Sequence, residues 1–334
     1  QIIRKNPGFK LEKRNLLHQI DFEAGTIEIE GRTYELLDKN FPTVDPAHPY
    51  AFSQEEADVM DRLEKAFLNC EKLQAHMRFL LNKGGLYKVY NQNLLYHGCV
   101  PLNQDGTLKS VRIYGRAYKG KALYEVLESY VRKGFFALDK KERERGKDMM
   151  WYIWLHENSP LFGKDKMATF ERYFLAEKET HREKKNPYYE LLEDEVVVNR
   201  ILREFGLPEE GTHIINGHVP VKSKAGESPI KCGGKVLVID GGFSRAYQKE
   251  TGIAGYTLIY NSYGLILAAH EPFESTEAAI EKESDIHSDS IVVKRTLARK
   301  TVGDTDIGRR LREQIQDLNE LLGAYRSGLI PEKL

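Results

Sequence analysis

Two short stretches decide the fold, because each has an apolar strand pattern that ends in a histidine beside a glycine. They are Asn93-Leu94-Leu95-Tyr96-His97-Gly98-Cys99-Val100-Pro101 and Thr212-His213-Ile214-Ile215-Asn216-Gly217-His218-Val219-Pro220. Neutral imidazole binds divalent metals through one nitrogen, and an adjacent glycine lets backbone or substrate come close. Taken alone, each histidine is equally well explained as a satisfied, partly buried side chain. Their shared context favours metal binding, with His97 and His218 as ligands.

Outward from these stretches, strand and helix patterns alternate, which predicts an α/β or α+β fold. The capping box Ser53-Gln54-Glu55-Glu56 opens a helical pattern that ends at Gly84-Gly85. Helical spacing returns over 121–136, and paired strands are predicted at 86–90 and 94–96. Further predictions are a hairpin turning at Gly31-Arg32, strands at 236–239, 255–260 and 265–268, and a final helix with an apolar stripe of Leu311, Ile315, Leu318 and Leu322.

Composition excludes several classes of partner. Among 334 residues, 50 lysines and arginines balance 50 aspartates and glutamates, so no nucleic-acid or anionic-membrane surface is expected. Cys70, Cys99 and Cys232 show no CxxC spacing, which favours a reduced, intracellular compartment. No apolar run approaches the roughly 20 residues that a membrane span requires. We therefore expect a cytoplasmic protein. Whether it forms a homo-oligomer is not decided by the sequence.

Basic residues follow the second histidine. Lys222, Lys224 and Lys231 lie within a few residues of one another, and Arg245 follows Asp240-Gly241-Gly242. The simpler explanation is an exposed loop that happens to be basic. The functional one is an anionic, phosphate-bearing substrate, because ammonium and guanidinium groups bind phosphate dianions. We take Lys222, Lys224 and Arg245 as candidate phosphate ligands, and Asp240 is either a metal ligand or a turn former.

Other candidates carry less weight. The segment Gly303-Asp304-Thr305-Asp306 superficially resembles an acidic metal loop, but Thr305 or Asp306 is better explained as the N-cap of the last helix. His213 and His270 lack the context of the two candidate ligands and are interpreted as structural. The sequence contains no P-loop, GxGxxG or GxSxG motif, so it does not predict a kinase, a Rossmann enzyme or a serine hydrolase.

The order of three motifs resembles a known superfamily. These motifs are His97-Gly98-Cys99-Val100-Pro101, Gly217-His218-Val219-Pro220 and Asp240-Gly241-Gly242-Phe243. They look like the second half of a calcineurin-like metallophosphoesterase, and the whole chain is similar to the class III fructose-1,6-bisphosphatases of Firmicutes. Further stretches that look like that family begin at Val89, Glu157, Lys185 and Gly252.

The resemblance implies a function and an architecture. The function is hydrolysis of the 1-phosphate of fructose 1,6-bisphosphate to fructose 6-phosphate in gluconeogenesis, by a metal-dependent phosphoric monoester hydrolase with Mn²⁺, dinuclear in the complete enzyme. His97 and His218 map onto two of the metal ligands. The implied fold is part of a two-sheet sandwich with helical insertions. Its segments would be a connector and hairpin (1–50), helical insertions with the strand of His97 (51–210) and the C-terminal half of the sandwich (211–334).

None of the superfamily's earlier motifs precedes His97 in this sequence. Asp-x-His, Gly-Asp-x-x-Asp-Arg-Gly and Gly-Asn-His-Asp/Glu are all missing from that part, so the remaining ligands are expected upstream of Gln1, in an N-terminal half of the same protein. With an incomplete active site, the chain alone is expected to be inactive. Two alternatives stay open: a phosphoprotein phosphatase, and a non-catalytic regulatory or scaffold domain with a degenerate site.

Overall fold

The computed structural model describes residues 1–240, 244–273, 275–281, 283, 288–296 and 298–331, without the side chains of residues 245 and 246. The strands within this part are β1 (Ile20–Asp21), β2 (Thr26–Ile29), β3 (Arg32–Glu35), β4 (Tyr87–Tyr90), β5 (Asn93–Tyr96), β6 (Val111–Ile113), β7 (Arg116–Tyr118), β8 (His213–Asn216), β9 (Ile230–Lys231), β10 (Val236–Val238), β11 (Gly255–Asn261), β12 (Gly264–His270) and β13 (Ser288–Arg295). The helices are α1 (Ile2–Lys5), α2 (Gln54–Leu68), α3 (Glu71–Lys83), α4 (Gly120–Phe136), α5 (Lys140–Leu155), α6 (Thr169–Phe174), α7 (Glu195–Glu204), α8 (Arg245–Thr251), α9 (Thr276–Glu281) and α10 (Asp306–Arg326). This mixture of helices and several sheets confirms the predicted α/β class.

The chain divides into two compact units. The first comprises Gln1–Leu86 and His97–Leu191, and the second comprises Tyr87–Tyr96 and Leu192–Leu334. This division differs from the three segments predicted from the sequence, 1–50, 51–210 and 211–334. The physical reason is that β5 pairs in parallel with β8, so the strand before His97 joins the second unit.

The first unit is held together by two separate apolar clusters. One gathers buried residues of β6, α4 and α5, including Ile113, Leu127 and Met149. Helices α4 and α5 approach so closely that a Cβ added to Gly146 would collide with the backbone of Gly134. The other cluster lies under the antiparallel sheet β1-β2-β3, which contains the predicted hairpin.

The second unit contains two sheets. One has the strand order β4-β5-β8-β10-β9, in which β5, β8 and β10 run parallel, and the other is the antiparallel sheet β11-β12-β13. Buried Ile215 and Leu237 from the first sheet share one cluster with Leu265 from the second. The two sheets therefore share one apolar core, as in a sandwich.

Two elements differ from what the sequence predicts. The helical pattern of 53–84 forms two helices, α2 and α3, because the chain leaves the helix at Asn69 and Cys70 is extended. The predicted capping box is present: Ser53 Oγ accepts the N–H of Glu56, and the Glu56 carboxylate accepts the N–H of Ser53. Strand β13 was not predicted, since its first residues, Ser288-Asp289-Ser290, are polar and mask the alternation.

The last helix has the predicted apolar stripe, but the described residues of its unit leave that stripe uncovered. Leu311, Ile315 and Leu318 are 46%, 57% and 64% exposed. Its N-cap is Thr305, whose side chain accepts the N–H of Gly308, as predicted. None of the helices in the described part of the chain is both long and apolar enough to cross a membrane.

Candidate metal and phosphate site

Three candidate residues follow three neighbouring parallel strands. In the register of the sheet, Leu94 of β5 lies beside Ile214 of β8, which lies beside Val236 of β10. The carboxyl ends of these strands therefore meet at one edge of the sheet. His97 is the first residue after β5, while His218 and Asp240 are each the second residue after β8 and β10. Strand ends of this kind are where α/β folds place binding groups.

The segment after His97 is fixed by buried contacts in the first unit. The Cys99 N–H donates to the Pro160 carbonyl at 2.9 Å, and a Cβ on Gly98 would collide with that same carbonyl oxygen. The buried Tyr124 hydroxyl of α4 donates to the Cys99 carbonyl at 2.9 Å. Gly98 therefore leaves room for the backbone carbonyl of Pro160. The His97 side chain itself is exposed.

Cys99 itself is not a candidate nucleophile. Its side chain is fully buried, and burial raises the pKa of its thiol to about 12. Thiolates rather than thiols attack phosphorus or bind metal, so a thiol that stays protonated at neutral pH is inert. Cys99 serves to pack the segment: the backbone of Gly163, at φ +57°, lies so close to its sulfur that an added Cβ would overlap it.

His218 lies in a strained turn. The N–H of Val219 donates to the carbonyl of Gly217 at 2.8 Å, which closes a three-residue γ-turn around His218. The φ of His218 is +68°, a region that residues with a Cβ rarely adopt. The side chain is half-buried. The positive φ belongs to the histidine and not to Gly217 beside it, and backbone strain of this kind concentrates at functional sites.

Backbone hydrogen bonds extend the pairing of β8 with β10 beyond the ends of both strands. The Ile239 N–H donates to the Asn216 carbonyl at 2.9 Å, and the Val221 N–H donates to the Asp240 carbonyl at 2.8 Å. The loop that carries His218 is thereby tied to the backbone of Asp240, whose side chain is half-buried. Gly241, Gly242 and Phe243 of the predicted motif lie outside the described residues.

Of the two candidate lysines, Lys222 precedes a short 3-10 turn, Ser223–Ala225, and Lys224 lies within it. Lys222 and Lys224 are exposed, and neither ammonium group forms an ion pair with another described residue. Lys231, by contrast, lies 3.3 Å from the Glu227 carboxylate, so its charge is already paired. The turn is anchored from the second sheet, because the Ser223 hydroxyl lies 2.6 Å from the Tyr256 hydroxyl.

The remaining predicted residues are placed as follows. Arg245 is the first residue of α8, but its side chain lies outside the described part of the structure. His213 is buried, its Nδ1 lies 2.9 Å from the Gly234 carbonyl oxygen, and burial lowers its pKa. His270 bridges the hydroxyls of Thr257 and Ser288 at 2.7 and 2.8 Å. The hydrogen bonds of His270 fit the structural role predicted for it, whereas the buried Nε2 of His213 has no hydrogen-bond partner among the described residues.

Tyr124 and Tyr256 were missed by the sequence analysis. Each holds a loop that carries a candidate residue through a hydroxyl from a distant part of the chain. Tyr256 lies 33 residues after Ser223, and Tyr124 lies 25 residues after Cys99. No local pattern marks either pairing, so no sequence signal could have found them.

The donor set fits part of a divalent metal centre. His97 and His218 are suitable ligands, but no group of three or more His, Cys, Asp and Glu side chains that could hold a metal occurs among the described residues. Mn²⁺ prefers five or six ligands, many of them oxygens. The described residues therefore do not form a complete centre by themselves.

Comparison with known proteins agrees on one family. The family described as Firmicute fructose-1,6-bisphosphatase matches residues 1–327. The class 3 fructose-1,6-bisphosphatase of Clostridium novyi (strain NT) is 55% identical over 334 residues, covering 100% of this chain and 50% of that protein. The protein of the same name from Clostridioides difficile (strain 630) is 56% identical over 333 residues, covering 99% and 50%. The chain spans about half the length of the curated relatives it matches. No solved structure matches it.

Proposed function

The chain belongs to the Firmicute fructose-1,6-bisphosphatase family, and from that premise we propose that the protein hydrolyses the 1-phosphate of fructose 1,6-bisphosphate. The observation that carries the proposal is the parallel pairing of β5 with β8, which places the strand ends before His97 and His218 at one edge of the sheet. The strained turn at His218 supports a functional role for that edge.

The proposed ligands are His97 and His218, which would hold Mn²⁺. When bound, such a metal supplies an activated water and neutralises phosphoryl charge. Since the described residues hold only part of a centre and the chain spans half the length of its relatives, the other ligands are proposed to come from a segment outside this sequence. Asp240 is a third candidate donor, because its backbone is tied to the His218 loop.

Lys222 and Lys224 are proposed to bind phosphoryl oxygens of the substrate. Their ammonium groups are exposed and form no ion pair with a described residue, and they follow the His218 loop directly. Ammonium groups stabilise the charge of a phosphate dianion and of the transition state that forms from it. Arg245 stays a weaker candidate for the same role, on its place in the sequence alone.

The names of the relatives support a sugar bisphosphate as substrate better than a phosphoprotein. Two relatives that are 55% and 56% identical to this chain over the aligned residues are named class 3 fructose-1,6-bisphosphatase. Such a metabolic role would place the protein in the cytoplasm. A degenerate scaffold is less well supported, because a scaffold has no need of a strained histidine at a strand end.

The decisive experiment measures phosphate release from fructose 1,6-bisphosphate by the protein at the full length of its relatives. Release should require Mn²⁺, and His218→Ala should reduce kcat by at least a hundredfold. His270→Ala is the matched control, because that histidine is bonded to Thr257 and Ser288 on the other sheet. Turnover that is unchanged in His218→Ala would refute the ligand assignment. Release from a phosphopeptide but not from the sugar would refute the substrate.

A further inference from the structure

A pocket of about 390 Å³ lies in the first unit. It is bordered by α1, by the loop before β1 and by the proline-rich connector before α2. Pockets from about 300 Å³ upward accommodate small metabolites. Neither the proposed metal site nor the proposed phosphate site uses any of its residues.

The lining is rich in hydrogen-bond donors and contains no acidic residue. Three segments contribute Arg4, Asn15, His18 and His48. Arg4 makes no ion pair or side-chain hydrogen bond within the described part of the chain, so its guanidinium group has no internal anion to neutralise it. The neighbouring Asp45 does not line the pocket, and its carboxylate accepts the N–H of Ala47 at 2.9 Å. A donor-rich wall without carboxylates favours an anionic ligand.

One wall of the pocket is fixed. The Tyr50 ring packs edge-on against the His18 ring, with centroids 4.6 Å apart. Burial raises the pKa of the Tyr50 phenol, so it keeps its proton for donation. Ile3 and Pro49 add apolar surface beside this ring. The pocket therefore offers a polar end and an apolar side.

We propose that this pocket binds a small organic phosphate, with Arg4 as the main phosphoryl ligand and His18 and His48 as further donors. The guanidinium fork matches two phosphoryl oxygens, which a lone ammonium group does not. The carbon skeleton of the ligand would lie against the Tyr50 ring. The inference does not depend on the proposed function, because it uses none of the residues assigned to that function.

The test is calorimetric titration of the full-length protein with inorganic phosphate at constant ionic strength. Arg4→Ala should weaken one phosphate-binding event at least tenfold, and Arg4→Lys should weaken it less. Arg62→Ala, on the exposed face of α2, is the matched control and should bind phosphate as the parent protein does. Lys222→Ala with Lys224→Ala should likewise leave this event intact, which separates it from binding at the proposed active site.

A second variant protects the test against simple misfolding. Ala47→Trp fills the pocket from an exposed position without removing any charge. It should abolish the same binding event while the melting temperature stays close to that of the parent. Phosphate binding that is unchanged in both Arg4→Ala and Ala47→Trp would overturn the proposal. Acetate binding as tightly as phosphate would overturn the phosphoryl assignment.

Discussion

Gly98 and Pro160 are in direct backbone contact, so that a methyl group at Gly98 would overlap the Pro160 carbonyl oxygen. The same carbonyl accepts the N–H of Cys99 at 2.9 Å. The residue beside His97 is therefore glycine because another loop occupies the space that a side chain would need. This contact fixes the segment that follows β5 and, with it, the backbone from which His97 projects.

Gly98→Ala should accordingly destabilise the protein. Overpacking of this kind costs about 1–3 kcal/mol, since either Pro160 or the His97 segment has to move. The free energy of unfolding, measured by urea denaturation, should fall by that amount. Gly8→Ala is the matched control, because nothing lies within 4 Å of a Cβ at Gly8. Equal stability of the two variants would contradict the close contact.

Tyr124→Phe tests the second support of the same segment. The substitution removes the hydroxyl that donates to the buried Cys99 carbonyl and keeps the ring. An unpaired buried acceptor costs about 1–3 kcal/mol, so the free energy of unfolding should drop by that much. If the segment positions a metal ligand, Mn²⁺ should also bind more weakly to the full-length protein. Tyr173→Phe, at a side chain that is 75% exposed, should change neither quantity.

Tyr256→Phe tests the anchor of the lysine turn. Loss of the 2.6 Å contact with the Ser223 hydroxyl would loosen the turn that carries Lys222 and Lys224. One hydrogen bond is worth about 1 kcal/mol, so KM for fructose 1,6-bisphosphate should rise up to about fivefold while kcat changes little. Tyr263→Phe, in the exposed turn between β11 and β12, is the control. A fall in kcat at constant KM would instead indicate a role in the chemical step.

His156 should make the stability depend on pH. It is buried and stacked on Tyr152, and both of its ring nitrogens lie 3.0 Å from backbone groups, the Phe9 carbonyl and the Asn158 N–H. Burial lowers its pKa to about 4 from the ordinary 6.5. The unfolded chain therefore binds more protons between these values. The stabilisation is complete above about pH 6.5 and is lost as the pH falls towards 4, by about 3 kcal/mol.

The measurement is the free energy of unfolding as a function of pH for the parent protein and for His156→Gln. The variant should lose most of the slope between pH 4 and 6.5, because glutamine does not titrate. His76→Gln, at an exposed position on α3, is the matched control and should keep the slope of the parent. Parallel pH curves for His156→Gln and the parent would show that another group is responsible.

Local patterns explain why much of the fold could be predicted. Strands β5 and β8 follow from short apolar runs that end at glycine, and the cap at Thr305 follows from one residue and its neighbours. The division into units could not be predicted, because β5 finds its partner β8 more than a hundred residues later. The stripe on α10 shows the same limit: periodicity predicts the helix but does not identify what contacts it.

The candidate site shows the same contrast. The histidines were found because residue type and glycine spacing are visible in the sequence. The hydrogen bonds that fix loops join residues far apart in the sequence. Asn91 and Asp306, for example, are 215 residues apart, and the backbone N–H of each donates to the side chain of the other. The positive φ of His218 also has no sequence signal, because Gly217 beside it is the residue that a local rule would choose.

The positive φ of His218 leads to a final prediction, which separates backbone strain at this residue from metal binding by its side chain. If the turn stores backbone strain, glycine at this position should relieve it, whereas alanine, which keeps a Cβ, should not. The left-handed conformation costs a residue with a Cβ about 1–2 kcal/mol, and the greater freedom of glycine in the unfolded chain offsets about 0.5–1 kcal/mol of the gain. His218→Gly should therefore be more stable than His218→Ala by about 1 kcal/mol, measured by urea denaturation without metal.

Both variants should lose Mn²⁺-dependent phosphate release equally, since both lack the imidazole. A glycine variant no more stable than the alanine variant would show that the turn is unstrained, and a glycine variant that keeps its activity would show that the histidine is retained for something other than binding metal.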